Sequence, residues 1–250
     1  MKLPKMIIFD AGKTLIDYIP KADFNGILYL STIDATEKLM EYIVSNPNNY
    51  DARTIDKVNN EIFEKFGKCR KELYEINNQV ILKTIFDLLN IKLSISYAEV
   101  ERIIWENSAN IVPVDGIIEA LDVINKLGIR TAVISNLDFS GYLLEERLND
   151  LLPNNQFEFV IASSDYGIRK PQPLLFDIGI LKSGLAAKDI WYVGDKPNVD
   201  VLGSQSVGMT PVLYKSKRNS YVEIPNGVTT IDDYKELIEL LEESVFVKGL

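Results

Sequence analysis

The chain has 250 residues, 46% of them hydrophobic and 25% charged, a composition that can fill the core of a globular protein of one or two domains. Acidic residues outnumber basic residues by 36 to 27 and no long run of lysine and arginine occurs, so we expect no nucleic-acid partner. Histidine is absent and Cys69 is the only cysteine, which excludes Ser-His-Asp and Cys-His machinery, histidine metal sites and an intrachain disulfide.

The N-terminal segment MKLPKMIIFD has only four apolar residues in a row before Asp10. This run is too short for a signal peptide or a membrane span, so we predict a cytosolic protein with no membrane partner. The same run, MIIF, is followed at once by the turn sequence AGKT. It therefore predicts a buried parallel strand with Asp10 at its carboxyl end.

The segment from Leu15 to about Val112 has helical periodicity, as in VNNEIFEKF and AEVERIIWENSA, and no predicted strand. Breaks at SNPNNYD and NIKLSIS divide it into four or five helices. We therefore predict an inserted, all-helical domain over residues 16–112. Residues 1–15 and 113–250 together form the core domain in this division.

Strands and helices alternate after Val112. Strands are predicted at 131–134, 157–162, 190–193, 210–213 and 228–231, and helices at 116–127, 141–152, 173–181, 198–206 and 232–243. This order predicts an α/β fold: a Rossmann-like parallel sheet with helices on both faces. In such sheets the active site lies at the carboxyl ends of the strands.

Polar residues with complementary chemistry follow these strands or lie in the loops beside them. They are the run Asp10-Ala11-Gly12-Lys13-Thr14-Leu15, then Ser135-Asn136, Lys170-Pro171, and Gly194-Asp195 followed by Asp200. A carboxylate can attack phosphorus, a hydroxyl and amides can hold phosphoryl oxygens, a lysine can balance charge, and carboxylates can bind magnesium. The set indicates phosphoryl-transfer chemistry.

In this order, the motifs resemble those of the haloacid dehalogenase (HAD) superfamily over nearly the whole chain. FDAGKTLID resembles the family's first motif, ISN the second, RKP the lysine motif and VGDKPNVD the fourth. The insert is similar to the family's helical C1 cap, which closes over the core. The resemblance implies a magnesium-dependent hydrolase that acts on a small phosphorylated substrate through an aspartyl-phosphate intermediate.

Carried over position by position, the resemblance implies a metal site at the first and fourth motifs. Asp10 would be the nucleophile and a magnesium ligand, with the backbone carbonyl of Gly12 and the carboxylate of Asp195 as further ligands. Thr14 would brace the nucleophile loop. Asp200 would orient the metal-bound water or the catalytic lysine.

The second motif and the lysine motif imply a phosphate site. Ser135 and the amide of Asn136 would bind the phosphate, and Lys170 would stabilise the aspartyl-phosphate. Asp17 matches the family's trailing aspartate, for which a turn cap and a site role both stay open. Lys13 either adds positive charge to the site or points to solvent.

Gly12 departs from the family pattern. Most phosphatases of the family have a second aspartate at this position, which protonates the leaving oxygen and later activates water. Glycine cannot transfer a proton, and general acid–base catalysis is worth about a hundredfold to ten-thousandfold. An alkyl phosphate should therefore react slowly unless another group helps.

Three interpretations of Gly12 stay open. The first is a hydrolase whose substrate has a good leaving group or whose cap supplies the proton. The second is a phosphonatase or dehalogenase-type enzyme: the intact GDKPNVD argues against a dehalogenase, and a phosphonatase needs a cap lysine such as Lys21, Lys38 or Lys57. The third is a weakly active or non-catalytic protein that keeps affinity for phosphate and magnesium.

Overall fold

The computed structural model describes residues 1–20, 22–24, 27–29, 33–215 and 223–247. Lys21, one of the cap lysines considered for a phosphonatase, lies outside the described residues. The strands are β1 (Met6–Phe9), β2 (Ile16–Pro20), β3 (Ala22–Phe24), β4 (Ile27–Tyr29), β5 (Ile43–Ser45), β6 (Lys92–Leu93), β7 (Ala109–Pro113), β8 (Arg130–Ser135), β9 (Phe157–Ala162), β10 (Ile190–Gly194), β11 (Thr210–Tyr214) and β12 (Thr229–Ile231).

The helices of the described ranges alternate with the strands in the second half of the chain and cluster in the insert. They are α1 (Ile33–Leu39), α2 (Ala52–Gly67), α3 (Asn78–Leu88), α4 (Tyr97–Ser108), α5 (Ile117–Lys126), α6 (Gly141–Leu151), α7 (Ser163–Tyr166), α8 (Pro173–Ser183), α9 (Leu202–Ser206) and α10 (Tyr234–Val247). Within the described ranges, no helix has the length and apolarity needed to cross a membrane.

A six-stranded sheet forms the centre of the molecule, in the order β12-β11-β10-β1-β8-β9. Every neighbouring pair in it is parallel, which confirms the predicted α/β architecture. β1 lies between β8 and β10. The end of β1 is therefore flanked by the ends of the strands that carry the second and fourth motifs.

The apolar runs form this sheet because both of its faces are covered. Along β1, Met6 and Ile8 belong to one hydrophobic cluster while Ile7 and Phe9 belong to another, as the two-residue period of a strand requires. Helix α8 covers the first cluster, and helices α5, α6 and α10 cover the second. The predicted helices on both faces are confirmed.

The insert contains the predicted helices α1 to α4, with breaks where the sequence predicts them. Asp51 caps α2 and a Ser96–Glu99 capping box begins α4, which explains where these two helices start. The buried side chains of the insert continue the hydrophobic cluster that covers one face of the sheet.

The structure adds short antiparallel strand pairs to this insert, which the sequence analysis predicts as all-helical. β2 pairs with β7 where the insert leaves and rejoins the core, and the other pairs are β3 with β4 and β5 with β6. These strands are only two to five residues long, too short to show a clear alternation. Moreover, β2 and β7 lie about ninety residues apart, so only folding brings them together.

Gly203 gives a test of how tightly helix α9 packs on α8. A Cβ at this position would lie 2.4 Å from Cε2 of the buried Phe176 and 3.2 Å from the Cα of Pro171. We predict that Gly203→Ala lowers the free energy of unfolding by about 1 to 3 kcal/mol, because a packed core resists added volume. Urea unfolding measures this change.

Gly67→Ala is the matched control, because a Cβ there has no neighbour within 4 Å. It should leave the stability unchanged or slightly higher. Equal stabilities for the two variants would contradict the packing inferred at Gly203.

Candidate active site

The topology brings the ends of three strands together at one edge of the sheet. Phe9 of β1 is in register with Val133 of β8 and with Val193 of β10. The residues that follow, Asp10 and Asp195 among them, therefore emerge side by side, and the Asp10 amide donates to the Val193 carbonyl at 2.8 Å. Asp10, Asp195 and Ser135, the last residue of β8, are all buried.

Lys170 joins this group although it lies in a loop before α8. Its Nζ donates to Asp10 Oδ1 at 2.6 Å, to Asp200 Oδ1 at 2.7 Å and to the Tyr192 hydroxyl at 2.7 Å. Burial alone would lower the pKa of Lys170, but Asp10 and Asp200 outweigh that effect and hold it well above its usual value. The lysine is therefore a charged group between two carboxylates.

Asp10 is the other member of this buried pair. Burial raises the pKa of its carboxyl, and the charge of Asp200 adds to the rise, whereas Lys170 opposes it. Lys170 holds only one of the two carboxylate oxygens, Oδ1. This contact fixes the direction in which the other oxygen points.

Asp200 uses both of its oxygens to hold other parts of the site. Oδ1 accepts from Lys170, and Oδ2 accepts from the backbone amide of Lys196 at 2.9 Å. The neighbouring Gly194 leaves room for it, because a Cβ there would lie 2.5 Å from Cγ of Asp200. The glycine of the fourth motif is thus required by the close approach of this carboxylate.

Three buried carboxylates, those of Asp10, Asp195 and Asp200, each present an oxygen within 4.8 Å of the others. Burial raises the pKa of Asp195 to about 7, and repulsion from Asp10 and Asp200 adds to the shift. Lys196 and Lys13 act in the opposite direction but do not cancel it. This set of hard oxygen donors with excess negative charge fits a divalent cation such as magnesium.

Asn136 connects the second motif to the lysine loop through its side chain. Its Oδ1 accepts from the Lys170 amide at 2.7 Å, and its Nδ2 donates to the Lys170 carbonyl at 2.9 Å. This two-point contact fixes the backbone that carries the catalytic lysine candidate. The sequence analysis assigns a role only to the Asn136 amide, in phosphate binding. The contact between the Asn136 side chain and the Lys170 backbone is seen only in the structure.

The loop after Asp10 turns sharply and is held from outside the matched motifs. The Lys13 amide donates to the Ile16 carbonyl at 2.7 Å, and Lys13 itself has a left-handed backbone, with φ of 62°. The Thr14 carbonyl accepts from the hydroxyl of Tyr234 on α10 at 2.6 Å. The Thr14 hydroxyl has no hydrogen-bond partner among the described residues, so Thr14 contributes to the loop through its backbone.

The space beside Gly12 is occupied by an aromatic ring. A Cβ at Gly12 would lie 3.3 Å from Cε2 of Tyr18, and the Gly12 backbone is not among the residues of positive φ. Burial raises the pKa of the Tyr18 phenol, and the charges of Asp10 and Asp138 add to the shift. Tyr18 therefore lies within electrostatic reach of the nucleophile candidate.

Lys13 and Asp17 both line a cleft beside this site. The cleft has a volume of about 760 Å³. It is lined by residues of the nucleophile loop, of the β2–β7 pair and of the start of α10, including Lys13, Asp17, Asp115, Tyr214, Asp233 and Lys235. The side chain of Asp17 also accepts from the Tyr18 amide at 2.9 Å.

A buried acid from the insert binds the loop that carries Lys170. Glu75 forms an ion pair with Arg169 and accepts from Ser163 Oγ at 2.8 Å. The backbones are joined as well, since the Glu75 amide donates to the Gly167 carbonyl and the Arg169 amide to the Leu73 carbonyl. The insert thus contacts the core directly beside the lysine loop.

Sequence reasoning missed Tyr192, Tyr18, Tyr234 and Glu75. The sequence analysis includes Tyr192 only in the strand predicted at 190–193, yet its hydroxyl donates to the Ile134 carbonyl at 2.9 Å and accepts from Lys170. A buried tyrosine hydroxyl generally needs a partner, and that was the available signal. Nothing local marks Tyr234 and Glu75, because their partners are distant in sequence, and the apolar pattern does not show the turn that brings Tyr18 beside Gly12.

Comparison with known proteins agrees with these observations. The family model described as "Haloacid dehalogenase-like hydrolase" matches residues 7–214. A glyceraldehyde 3-phosphate phosphatase of Methanothermobacter thermautotrophicus is 34% identical over 122 residues, which are 46% of this chain and 52% of that protein. The chain spans about half the length of the relatives that it matches in this way.

Solved structures show the same fold. The crystal structure of a HAD-superfamily hydrolase from Ehrlichia chaffeensis has a TM-score of 0.54 and 21% identity, covering 98% of this chain and 99% of that one. A HAD-hydrolase of Bacillus subtilis described as bound to magnesium has a TM-score of 0.54 and 16% identity, covering 96% and 99%.

The raised pKa of Asp195 predicts that the free energy of unfolding of the metal-free protein depends on pH. Asp195 binds a proton more tightly in the folded state than in the unfolded chain, so the free energy of unfolding falls as pH rises from about 4 to about 7. We predict that Asp195→Asn removes this loss. In chelator, its stability advantage over the wild type should grow by roughly 2 kcal/mol between pH 5 and pH 8.

Urea unfolding at both pH values measures the difference. Asp150→Asn, which changes an exposed carboxylate on α6, is the control and should follow the wild type. A wild type whose stability relative to Asp195→Asn does not change with pH would contradict the assigned electrostatics.

Proposed function

Because this chain belongs to the haloacid dehalogenase-like hydrolases, we propose that it is a magnesium-dependent phosphatase that acts through an aspartyl-phosphate intermediate on Asp10. One observation carries the proposal: the buried Lys170 ammonium lies between the carboxylates of Asp10 and Asp200 at 2.6 and 2.7 Å. The arrangement combines a nucleophile with a positive charge at the position where phosphoryl charge would develop.

Asp10 attacks phosphorus in this mechanism, and the P–O bond to the leaving group breaks. Lys170 holds Oδ1 of Asp10 and aims the other oxygen at the phosphorus. Its charge also stabilises the aspartyl-phosphate. Ser135 and the Asn136 amide bind the phosphoryl oxygens, and the Asn136 side chain keeps Lys170 in place.

Magnesium would be held by the carboxylates of Asp10 and Asp195 and by the backbone carbonyl of Gly12. Magnesium, when bound, neutralises charge on the transferring phosphoryl group. The pKa of about 7 for Asp195 supports the assignment, since a bound cation would offset both the burial and the carboxylate repulsion that raise it. Asp200, whose two oxygens hold Lys170 and the Lys196 amide, acts by positioning.

Residues 16–112 form the cap in this proposal, and residues 1–15 with 113–250 form the core. The β2–β7 pair joins the two parts, and Glu75 pairs with Arg169 next to Lys170. These contacts support a cap that packs against the lysine loop. A closed cap excludes water from the phosphoryl-transfer step and completes the pocket.

A small phosphorylated metabolite is the substrate that we propose. The relatives named glyceraldehyde 3-phosphate phosphatase support this class, although the match covers about half of each of them. Gly12 favours a second candidate, a protein that binds magnesium and phosphate with little turnover, because the family's acid–base aspartate is missing. Turnover separates the two candidates.

The test is steady-state hydrolysis of an aryl phosphate, an acyl phosphate, and sugar and nucleotide monophosphates, each with magnesium and with chelator. We predict turnover that depends on magnesium, returns when magnesium is restored, and falls to background in Asp10→Asn because the nucleophile is lost. Circular dichroism checks that the variant is folded.

Asp150→Asn is the matched control, an exposed aspartate that should retain wild-type turnover. Activity that persists in Asp10→Asn would sink the nucleophile assignment. If the wild type hydrolyses none of these substrates but still binds magnesium in titration calorimetry, the second candidate, a protein that binds magnesium and phosphate with little turnover, is favoured instead.

A further inference from the structure

Tyr18 crowds the position that the side chain of a residue other than glycine would take at position 12. Cε2 of its ring lies 3.3 Å from where a Cβ on Gly12 would be, closer than ordinary van der Waals contact. The Gly12 backbone has no left-handed φ, so space rather than backbone strain decides what can stand there. The absence of an aspartate at position 12 and the presence of the Tyr18 ring therefore concern the same part of the site.

The turn after Asp10 is what places Tyr18 there. The Lys13 amide bonds to the Ile16 carbonyl, and Gly12 forms an isolated bridge with Ile16, so β2 begins against the nucleophile loop. Tyr18 lies two residues further along this strand, paired with Ile111 of β7. Side chains two apart on a strand share a face, so Tyr18 projects to the same side as the fully buried Ile16.

The ring atom that approaches position 12 is bonded to Cζ, the carbon that carries the hydroxyl, so the hydroxyl end of Tyr18 is the end beside Gly12. In tyrosine the hydroxyl oxygen is two bonds from Cε2, and in aspartate a carboxylate oxygen is two bonds from Cβ. Burial raises the pKa of this phenol most, and the charges of Asp10 and Asp138 add to the rise, so the phenol lies within electrostatic reach of both carboxylates. A tyrosine hydroxyl is a hydrogen-bond donor at neutral pH.

We propose that the Tyr18 hydroxyl takes the place of the absent aspartate and donates a hydrogen bond to the leaving-group oxygen. A hydrogen bond stabilises a departing anion but does not protonate it fully. The substrates that this site selects are therefore phosphates whose leaving group departs as a stable anion: acyl, enol and aryl phosphates. The inference rests on the proposed phosphatase function and specifies its substrate class.

The chemistry balances without a further acid. An Asp10 oxygen forms a bond to phosphorus while the P–O bond to the leaving group breaks, and the electron pair stays on the leaving oxygen, hydrogen-bonded by Tyr18. Water then attacks the phosphorus of the aspartyl-phosphate, and the bond to Asp10 breaks. The Asp10 carboxylate is regenerated, and the proton released by the water remains on the inorganic phosphate.

The experiment measures kcat/KM for acetyl phosphate, 4-nitrophenyl phosphate, phenyl phosphate and glycerol phosphate in the wild type and in Tyr18→Phe. The variant keeps the ring and removes only the donor. The wild type should react more slowly as the leaving group becomes more basic. Tyr18→Phe should lose about 10- to 100-fold on phenyl phosphate and less on the two better leaving groups, because a hydrogen bond matters most where most charge develops.

Tyr97→Phe is the matched control, a partly buried tyrosine of the insert that packs against Phe86 and has Asp87 and Lys83 as its charged neighbours. It should retain wild-type kinetics. Melting temperature and magnesium affinity by calorimetry should be unchanged in Tyr18→Phe, which distinguishes loss of the donor from damage to the fold or the metal site. Equal kcat/KM values for Tyr18→Phe and the wild type across the series would overturn the inference.

A second set of variants tests the shared space. Gly12→Asp alone should gain little on glycerol phosphate because the ring of Tyr18 crowds the new side chain. Gly12→Asp combined with Tyr18→Ala should hydrolyse it at least about tenfold faster than either single variant, with a weaker dependence on the leaving group. A full gain from Gly12→Asp with Tyr18 in place would show that the two side chains do not compete.

The two proposals fail in different ways. The phosphatase proposal requires turnover that depends on magnesium and is lost in Asp10→Asn. If the wild type shows no such turnover, that proposal fails and this inference fails with it. A wild type that is active, sensitive to Asp10→Asn and indifferent to Tyr18→Phe would end only the inference.

Discussion

The ion cluster around Lys170 is the interaction on which the rest of the site depends. One buried ammonium group forms ion pairs with the carboxylates of both Asp10 and Asp200, and a buried charge that lost its partner would be strongly destabilising. Asn136 and Tyr192 both serve to hold this lysine, through its backbone and through its Nζ. With Asp195 nearby, negative charge still exceeds positive charge, and this excess is the physical basis of the magnesium proposal.

Tyrosine hydroxyls and rings recur around the cluster, each from a different element. Tyr192 of β10 contacts Lys170, Tyr234 of α10 holds the Thr14 carbonyl, and Tyr18 of β2 fills the space beside Gly12. Tyr234 lies beyond residues 7–214, the range that the family model matches. The C-terminal helix of this chain thus supports the nucleophile loop from outside the shared motifs.

The insert is joined to the same cluster through the chain neighbour of Lys170. Arg169 pairs with Glu75 of the insert, and burial, with the charge of Arg70 adding, lowers the pKa of Arg169 to about 10. Arg70 reaches Asp138 on the loop after β8 at 3.3 Å. The position of the insert and the position of the lysine loop are therefore coupled by ion pairs of buried and partly buried side chains, which fits the proposed cap.

The sequence by itself determined the strands of the parallel sheet, the helices that cover it and the order of the motifs. Apolar runs ended by turn residues predict the parallel strands, because burial on both faces leaves a local pattern. In the structure, Asp10 and Asp195 lie close together at the ends of adjacent strands. Only the tertiary structure decided that Tyr18 lies against Gly12, that Tyr192 contacts Lys170 and that β2 pairs with β7. The physical reason is that periodicity encodes which face of an element is buried, whereas the partner of a side chain or an edge strand depends on how the chain turns and on how distant segments pack.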